Sequence, residues 1–199
     1  SFPSLKTVDM SYNSISGSPP ADWGTFTSLD TVKLNNNGMT GAIPDWSALG
    51  SLRSLDLSSM QIGGNAPDWL GNLGNMEELR LSGCNLGGPV PSSWSSMQEL
   101  RILDLSDNND LGVGVICPFP AFPDFCYPSG AADPLPDLGG LTKLEEVRFA
   151  LTSFDCAIPD AWQSLTSLRT LHLSTPSTAP DGGHPAVVFP TWLGSLSGL

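Results

Sequence analysis

One stretch of the chain contains the pattern that decides the fold: residues 29–44 read LDTVKLNNNGMTGAIP. Its apolar residues, its Asn, its Gly and its final Ile-Pro step recur along the chain. The frame starts at residues 5, 29, 52, 76, 100, 144 and 168, and most intervals between starts are 23 or 24 residues. A repeat of this period indicates an array of stacked units, because one short unit cannot bury its apolar face alone.

Within each repeat, apolar residues two apart, such as Val32 and Leu34, indicate one short strand with a buried face. All six Trp lie two or three positions after the Pro of a repeat, which favours a buried aromatic column. The pattern resembles the leucine-rich repeat, and the Ile-Pro step resembles its plant-type subclass. This resemblance implies an α/β-type repeat fold: a right-handed solenoid with a parallel concave β-sheet and a convex side of turns and 3-10 segments. We expect residues 1–199 to form one solenoid of about seven repeats, cut from a longer array.

Composition narrows the classes of function. Asp and Glu number 20 against 8 Lys and Arg, and the formal net charge is −12. Phosphate binding needs a basic surface, so this balance excludes a nucleic-acid partner. The chain contains no run of about 18 apolar residues and no signal-peptide pattern, so the sequence predicts no membrane span in this segment.

Residues suited to catalysis or metal binding are sparse. His172 lies on an outward strand position and His184 lies in a Gly-Pro loop, and we interpret both as solvated surface residues. Residues 107–112 read DNNDLG, but Leu111 takes the fifth position of a calcium loop and Pro118 the twelfth, where Glu is required. With no nucleophile elbow, phosphate loop or zinc motif, the sequence predicts no enzyme activity, no cofactor and no metal site.

Charged residues form a regular pattern on the predicted strands. The fifth position of each repeat, on the concave face, alternates in sign. This concave charge ladder consists of Asp9, Lys33, Asp56, Arg80, Asp104, Arg148 and His172. The second position alternates in the opposite sense, from Lys6 to Arg169. Neighbouring strands lie about 4.8 Å apart, so opposite charges can stabilise the register, and we interpret the ladder as structural rather than as a docking face.

Two repeats contain insertions, at about residues 112–135 and 174–188. Both follow the turn after a strand, so we expect them to emerge on one edge of the solenoid, where long loops are commonly functional. The candidate binding residues are Phe119, Phe122, Phe125, Tyr127 and His184. Aromatic anchors contribute much of the energy of interfaces. The alternative is that these rings pack back onto the solenoid and seal the insertion.

Four Cys suggest a disulfide in an extracellular setting. Cys84 takes the position at which plant-type repeats carry Asn, and we expect it to be a buried free thiol. Cys117 and Cys126 lie in the same insertion and are the first choice for a bridge. A bridge from one of them to Cys156 is the runner-up.

A second resemblance is local. Residues 90–97 read VPSSWSSM, which resembles the repeated phrase of surface antigens and proteophosphoglycans of trypanosomatid flagellates. We interpret the chain as a non-catalytic recognition module, extracellular or on a cell surface, that binds a protein or glycan partner as a monomer. A plant-type receptor or wall-protein-inhibitor ectodomain and a structural, shielding coat protein are the alternatives.

Overall fold

A parallel β-sheet of short strands forms one face of the protein. The computed structural model describes residues 2, 4–112, 115–116, 127–128, 135–152, 158–174, 190–196 and 198. Within these residues the concave sheet consists, in spatial order, of β1 (Thr7–Asp9), β3 (Thr31–Lys33), β5 (Ser54–Asp56), β7 (Glu78–Arg80), β9 (Ile102–Asp104), β13 (Glu146–Ala150) and β14 (Thr170–Ser174). Each strand begins two residues after a predicted repeat start, and each pairs in parallel with its neighbours.

Shorter strands follow the turns after the concave strands. They are β2 (Ser16–Gly17), β4 (Gly38–Met39), β6 (Gly64–Asn65), β8 (Leu86–Gly88) and β10 (Asp110–Leu111). Strand β2 pairs with β4, and β6, β8 and β10 form a parallel sheet. Within the first insertion, β11 (Val115–Ile116) pairs antiparallel with β12 (Tyr127–Pro128).

The return segments contain 3-10 helices. In the described residues these helices are Ala21–Thr25, Asp68–Asn72, Ser92–Ser96, Asp160–Ser164 and Thr191–Ser195. A Pro caps the start of each helix in an extended conformation, which suits a residue that lacks an N–H and has a restricted φ. The predicted architecture of short parallel strands, turns and 3-10 segments is confirmed.

Trp side chains in one column of the repeat join neighbouring coils through packing and hydrogen bonds. Trp46, Trp94 and Trp162 are at most 1% exposed. Their indole N–H groups donate to Pro carbonyls of the preceding coils, with Trp46 bonded to Pro20 at 3.1 Å and Trp94 to Pro67 at 2.9 Å. Each ring therefore fills the core while its one polar group is satisfied, as burial of a Trp requires.

Side chains at the ninth position of the repeat join neighbouring coils by hydrogen bonds. The amide of Asn108 donates to the carbonyl oxygen of Leu81 at 2.9 Å, and its Oδ1 accepts from the backbone N–H groups of Cys84 and Leu86 at 3.1 and 2.9 Å. Cys84 is a buried free thiol, and its Sγ donates to the carbonyl oxygen of Leu57 at 3.1 Å. The thiol thus replaces one of the bonds that Asn makes here, and burial raises its pKa to about 12.

Candidate functional site

The register of the concave sheet places the members of the concave charge ladder side by side. Cα partners in successive strands are Asp9 with Lys33, Lys33 with Asp56, Asp56 with Arg80, Arg80 with Asp104, Asp104 with Arg148, and Arg148 with His172. His172 is exposed, and its Nδ1 lies 3.4 Å from Nη1 of Arg148.

The ladder residues form ion pairs along the strands rather than across them. Nη1 of Arg80 lies 2.5 Å from Oε2 of Glu78, and Arg148 pairs with Glu146 in the same way. The partners are two residues apart, so their side chains share one face of the strand. The hydrogen bond to Glu146 raises the pKa of the Arg148 guanidinium. In the part of the chain that the structure describes, no ion pair within 4.0 Å joins two ladder residues.

The ladder aspartates bond to backbone groups instead of to the neighbouring cations. Asp9, Asp56 and Asp104 each accept the backbone N–H of the Ser two residues later, at 3.0 to 3.1 Å. The hydroxyl of Ser11, and then its backbone N–H, lower the pKa of the Asp9 carboxyl. These carboxylates therefore hold the turn after each strand, and the cationic ladder residues Arg80 and Arg148 pair with Glu on their own strands.

Ion pairs between strands occur at the second position, where the chain enters each strand. Arg53 lies 3.5 Å from Asp30 and 2.7 Å from Glu77, and Arg101 lies 3.1 Å from Glu145. These side chains are well exposed, so each pair contributes roughly 0.2–1 kcal/mol. Beside them, Lys6, Ser28, Asp30, Ser51, Arg53 and Asn75 line a depression of about 350 Å³. All six lining residues are polar or charged, which suits a polar ligand better than an apolar one.

The eighth position of each coil forms a second row at the ends of the concave strands. We call it the position-eight row: Tyr12, Asn36, Ser59, Gly83, Asp107 and Leu151. Their φ angles are 63° at Gly83 and 54° to 58° at the other five residues. Each N–H in the row donates to the position-seven carbonyl of the next coil at 2.7 to 2.9 Å, so coil stacking imposes the left-handed backbone.

Two members of the position-eight row are unusual. Asn, Asp and Gly tolerate a left-handed backbone, whereas bulky side chains are strained in it. Tyr12 and Leu151 are bulky, yet they are 77% and 41% exposed. In the sequence, the signal for both positions is a bulky residue in a column that otherwise holds Asn, Ser, Gly and Asp.

Most of the predicted binding and disulfide residues lie outside the described part of the chain. They are Phe119, Phe122, Phe125, His184, Cys117, Cys126 and Cys156. Tyr127 is described only through its backbone, which pairs with Ile116 in the β11–β12 hairpin. Among the residues that the structure does describe, no group of three or more His, Cys, Asp or Glu could hold a metal ion. No helix in the same residues is long and apolar enough to cross a membrane.

Comparison with protein families agrees with the geometry. The sequence model of the leucine-rich-repeat family matches residues 4–26, 51–73 and 75–97. Each match includes one strand of the concave sheet, namely β1, β5 and β7. The fold is a leucine-rich-repeat solenoid. No curated protein sequence matches the chain.

The solenoid is similar to solved plant receptor structures. The leucine-rich-repeat ectodomain of the receptor kinase GASSHO1/SCHENGEN3 from Arabidopsis thaliana, in complex with CASPARIAN STRIP INTEGRITY FACTOR 2, matches with TM-score 0.73 and 24% identity over 85% of this chain and 18% of that chain. A TDR receptor matches with TM-score 0.70 and 27% identity over 85% and 26% of the two chains. The Arabidopsis receptor kinase HAESA, in complex with the peptide hormone IDA and the co-receptor SERK1, matches with TM-score 0.62 and 26% identity over 87% and 30%. This chain therefore spans less than a third of each of these structures.

Proposed function

We propose that the protein is a non-catalytic recognition module, outside the cell or on its surface, that binds a protein partner. The observation that supports this most is the likeness to the TDR receptor, with TM-score 0.70 and 27% identity over 85% of the chain. The fold itself adds a physical reason, because a solenoid presents one set of exposed side chains per coil over an extended surface. The module acts as a monomer and needs no cofactor.

The class of partner is a protein segment rather than a glycan. HAESA, which is 26% identical over 87% of this chain, was solved with a peptide hormone and a co-receptor. A plant-type receptor or wall-protein-inhibitor ectodomain is one setting for such a module. A structural, shielding coat protein is the second candidate, which the phrase VPSSWSSM at residues 90–97 favours through its resemblance to trypanosomatid surface antigens.

We propose further that residues 1–199 form a single array whose recognition edge is the one from which the insertions at 112–135 and 174–188 emerge. Support comes from the described residues at their bases. Strand β10 ends at Leu111, after the turn that follows the concave strand β9, and the concave strand β14 ends at Ser174. Candidate anchors on this edge are Phe119, Phe122, Phe125, Tyr127 and His184.

A selection experiment tests this function. The chain is used to select binders from a phage-displayed library of random peptides, and it is applied in parallel to a glycan array. We expect peptides to be selected, and we expect their binding to be lost when residues 113–134 are replaced by a short Gly-Ser linker. A matched double variant, Arg53→Ala with Glu78→Ala, alters the concave face and should keep binding. Loss in the double variant alone would move the binding surface to the concave sheet, and a glycan-only response would contradict the protein partner.

A disulfide between Cys117 and Cys126 would hold the first insertion. The hairpin pairs Val115 with Pro128 and Ile116 with Tyr127. Cys117 and Cys126 are the next residues along the sequence, and a bridge between them would close a short loop. Mass measurement after alkylation in denaturant without reductant should show two blocked thiols. Four alkylated thiols would contradict any bridge, and peptide mapping that joins Cys156 would favour the runner-up.

A further inference from the structure

The one Asn-Gly step of the chain, Asn37-Gly38, lies where the first coil (residues 5–28) meets the second coil (residues 29–51). We propose that Asn37 is a self-modification site: its side chain deamidates when these two coils separate, and the product hinders their return to the closed arrangement. The reaction needs no partner and no enzyme, so it is independent of the proposed recognition function.

The Gly after Asn37 favours deamidation for a steric reason. The backbone nitrogen of Gly38 attacks Cγ of Asn37, a C–N bond forms, and the side-chain amide leaves as ammonia with the proton of the Gly38 N–H. Water then opens the cyclic imide at either carbonyl, which leaves Asp or isoaspartate at residue 37. Gly has no Cβ, so no side chain hinders the approach of its nitrogen. Every other Asn of the chain precedes a larger residue.

In the closed junction, hydrogen bonds hold both reacting groups. The side-chain nitrogen of Asn37 donates to the carbonyl oxygens of Met10 at 2.9 Å and Leu34 at 2.8 Å. Its Oδ1 accepts the backbone N–H of Ile15 at 3.0 Å. The attacking nitrogen is held as well, because the N–H of Gly38 donates to the carbonyl oxygen of Ile15 at 2.9 Å. The attack therefore requires Met10 and Ile15 of the first coil to move away.

The first coil buries little of its own surface. In residues 4–28, all of which the structure describes, Val8 and Pro19 are the only buried residues. The second coil has buried residues along its whole length, from Leu29 to Leu49. Local opening costs least where few apolar contacts are lost. We therefore expect the first coil to separate at a lower free-energy cost than the coils that follow it.

Both products of the reaction fit the closed junction poorly. A carboxylate at residue 37 cannot donate to the carbonyl oxygens of Met10 and Leu34, and it places a negative charge beside them where only 9% of the residue is exposed. Isoaspartate also adds a methylene to the main chain at the point where Gly38 of β4 pairs with Ser16 of β2. The added atom disturbs the spacing of the ladder hydrogen bonds. Deamidation thus converts a transient separation of the coils into a lasting one.

The rate of deamidation in the folded and unfolded chain tests the requirement for opening. The chain is incubated at mildly alkaline pH with and without urea, and mass spectrometry of the tryptic peptide 34–53 follows conversion at each of its Asn residues. We expect Asn37 to react fastest in urea and about a hundredfold or more slowly in the folded chain, because opening must precede the attack. Equal rates with and without urea, or a faster reaction at Asn35 or Asn36 in urea, would overturn the proposal.

Gly38→Ala is the control for the chemistry. A Cβ at residue 38 would lie 3.5 Å from the carbonyl oxygen of Ile15, which is an ordinary contact, so the closed junction is kept. The methyl group hinders the attacking nitrogen, and the rate at Asn37 in urea should fall severalfold. An unchanged rate in urea would contradict attack by this nitrogen.

Val8→Ala and Val147→Ala test which separation admits the reaction. Both Val occupy the fourth position of a repeat and are buried, but Val147 lies far from Asn37, in the coil of β13. We expect Val8→Ala to speed the reaction at Asn37 in the folded chain by about tenfold, and hydrogen exchange of the Gly38 N–H by the same factor. Val147→Ala should change neither rate, because each coil packs only on its neighbours. An unchanged rate in Val8→Ala, or an equal rise in both variants, would contradict opening of the first coil.

Asn37→Asp contains the carboxylate from the start and tests the lasting separation. The backbone N–H groups of Met10 and Tyr12 donate to carbonyl oxygens of the second coil in the closed junction. We expect their hydrogen exchange to be about tenfold or more faster in Asn37→Asp. Asn36→Asp adds the same charge at a less buried neighbouring residue and should leave these rates nearly unchanged. Wild-type exchange in Asn37→Asp, or an equal increase in both variants, would overturn the effect of the product on the junction.

Discussion

The 3-10 helices of neighbouring coils meet at Gly71, and Gly71→Ala tests how closely the solenoid is packed. Gly71 is buried in the helix Asp68–Asn72. A Cβ at this position would lie 2.4 Å from the carbonyl oxygen of Ser93 and 2.6 Å from its carbonyl carbon. Favourable contacts between such atoms are about 3.5–4.0 Å, so the two helices would have to separate by about 1 Å.

The separation would disturb the hydrogen bonds that join these two coils. Ser93 Oγ donates to the carbonyl oxygen of Asp68 at 2.9 Å, and Trp94 Nε1 donates to that of Pro67 at 2.9 Å. Overpacking a close-packed site costs about 1–3 kcal/mol, and each weakened hydrogen bond adds up to about 1 kcal/mol. We therefore expect Gly71→Ala to lower the free energy of unfolding by about 2–4 kcal/mol.

Urea unfolding followed by Trp fluorescence and by circular dichroism measures this loss. Gly74→Ala is the matched control, because Gly74 is exposed and a Cβ there would meet nothing within 4 Å. It should leave stability unchanged or raise it by up to about 1 kcal/mol, since Ala restricts the unfolded chain. An unfolding midpoint for Gly71→Ala equal to that of the wild type would refute the close approach of Gly71 to Ser93. An equal loss of stability in both variants would show that the loss does not come from contact with Ser93.

Three further predictions follow from the buried and charged columns. Asn108→Ala should lower the free energy of unfolding by about 2–5 kcal/mol, because it leaves two buried backbone N–H groups without an acceptor. Asn13→Ala, in the exposed first coil, should lower it by less than about 1 kcal/mol. Equal losses of the two variants in urea unfolding would contradict the role of burial. Arg80→Glu places a second carboxylate beside Glu78 and should cost about 1 kcal/mol at low salt and less at high salt, and an unchanged midpoint at low salt would count against that ion pair. Because the thiolate is the reactive form and burial raises the pKa of Cys84 to about 12, this thiol should resist iodoacetamide near pH 8 in the folded protein and react in urea. Rapid modification without denaturant would show that this coil opens.

The repeat frame could be predicted from the sequence because every unit contains the same pattern. Apolar residues two apart, a Pro-capped return segment and a Trp in a constant slot recur with one period. Each unit packs only on its neighbours, so this local pattern decides which face is buried without knowledge of distant contacts. The predicted repeat starts accordingly lie two residues before each concave strand. Trp46, Trp94 and Trp162 lie in the core as the column indicates, whereas Trp23, Trp69 and Trp192 are only partly buried.

The partners of individual side chains were decided only by the tertiary structure. The alternating signs of the ladder are a property of the sequence, yet Arg80 pairs with Glu78 on its own strand, and Asp56 accepts a backbone N–H from the following turn. The left-handed backbone of Leu151 likewise arises from a hydrogen bond to the next coil, at Ser174. The repeat period determines the column in which each residue lies. Which partner a side chain bonds to depends on differences of about an ångström between the distances to competing partners, and only the stacking of the coils sets those distances.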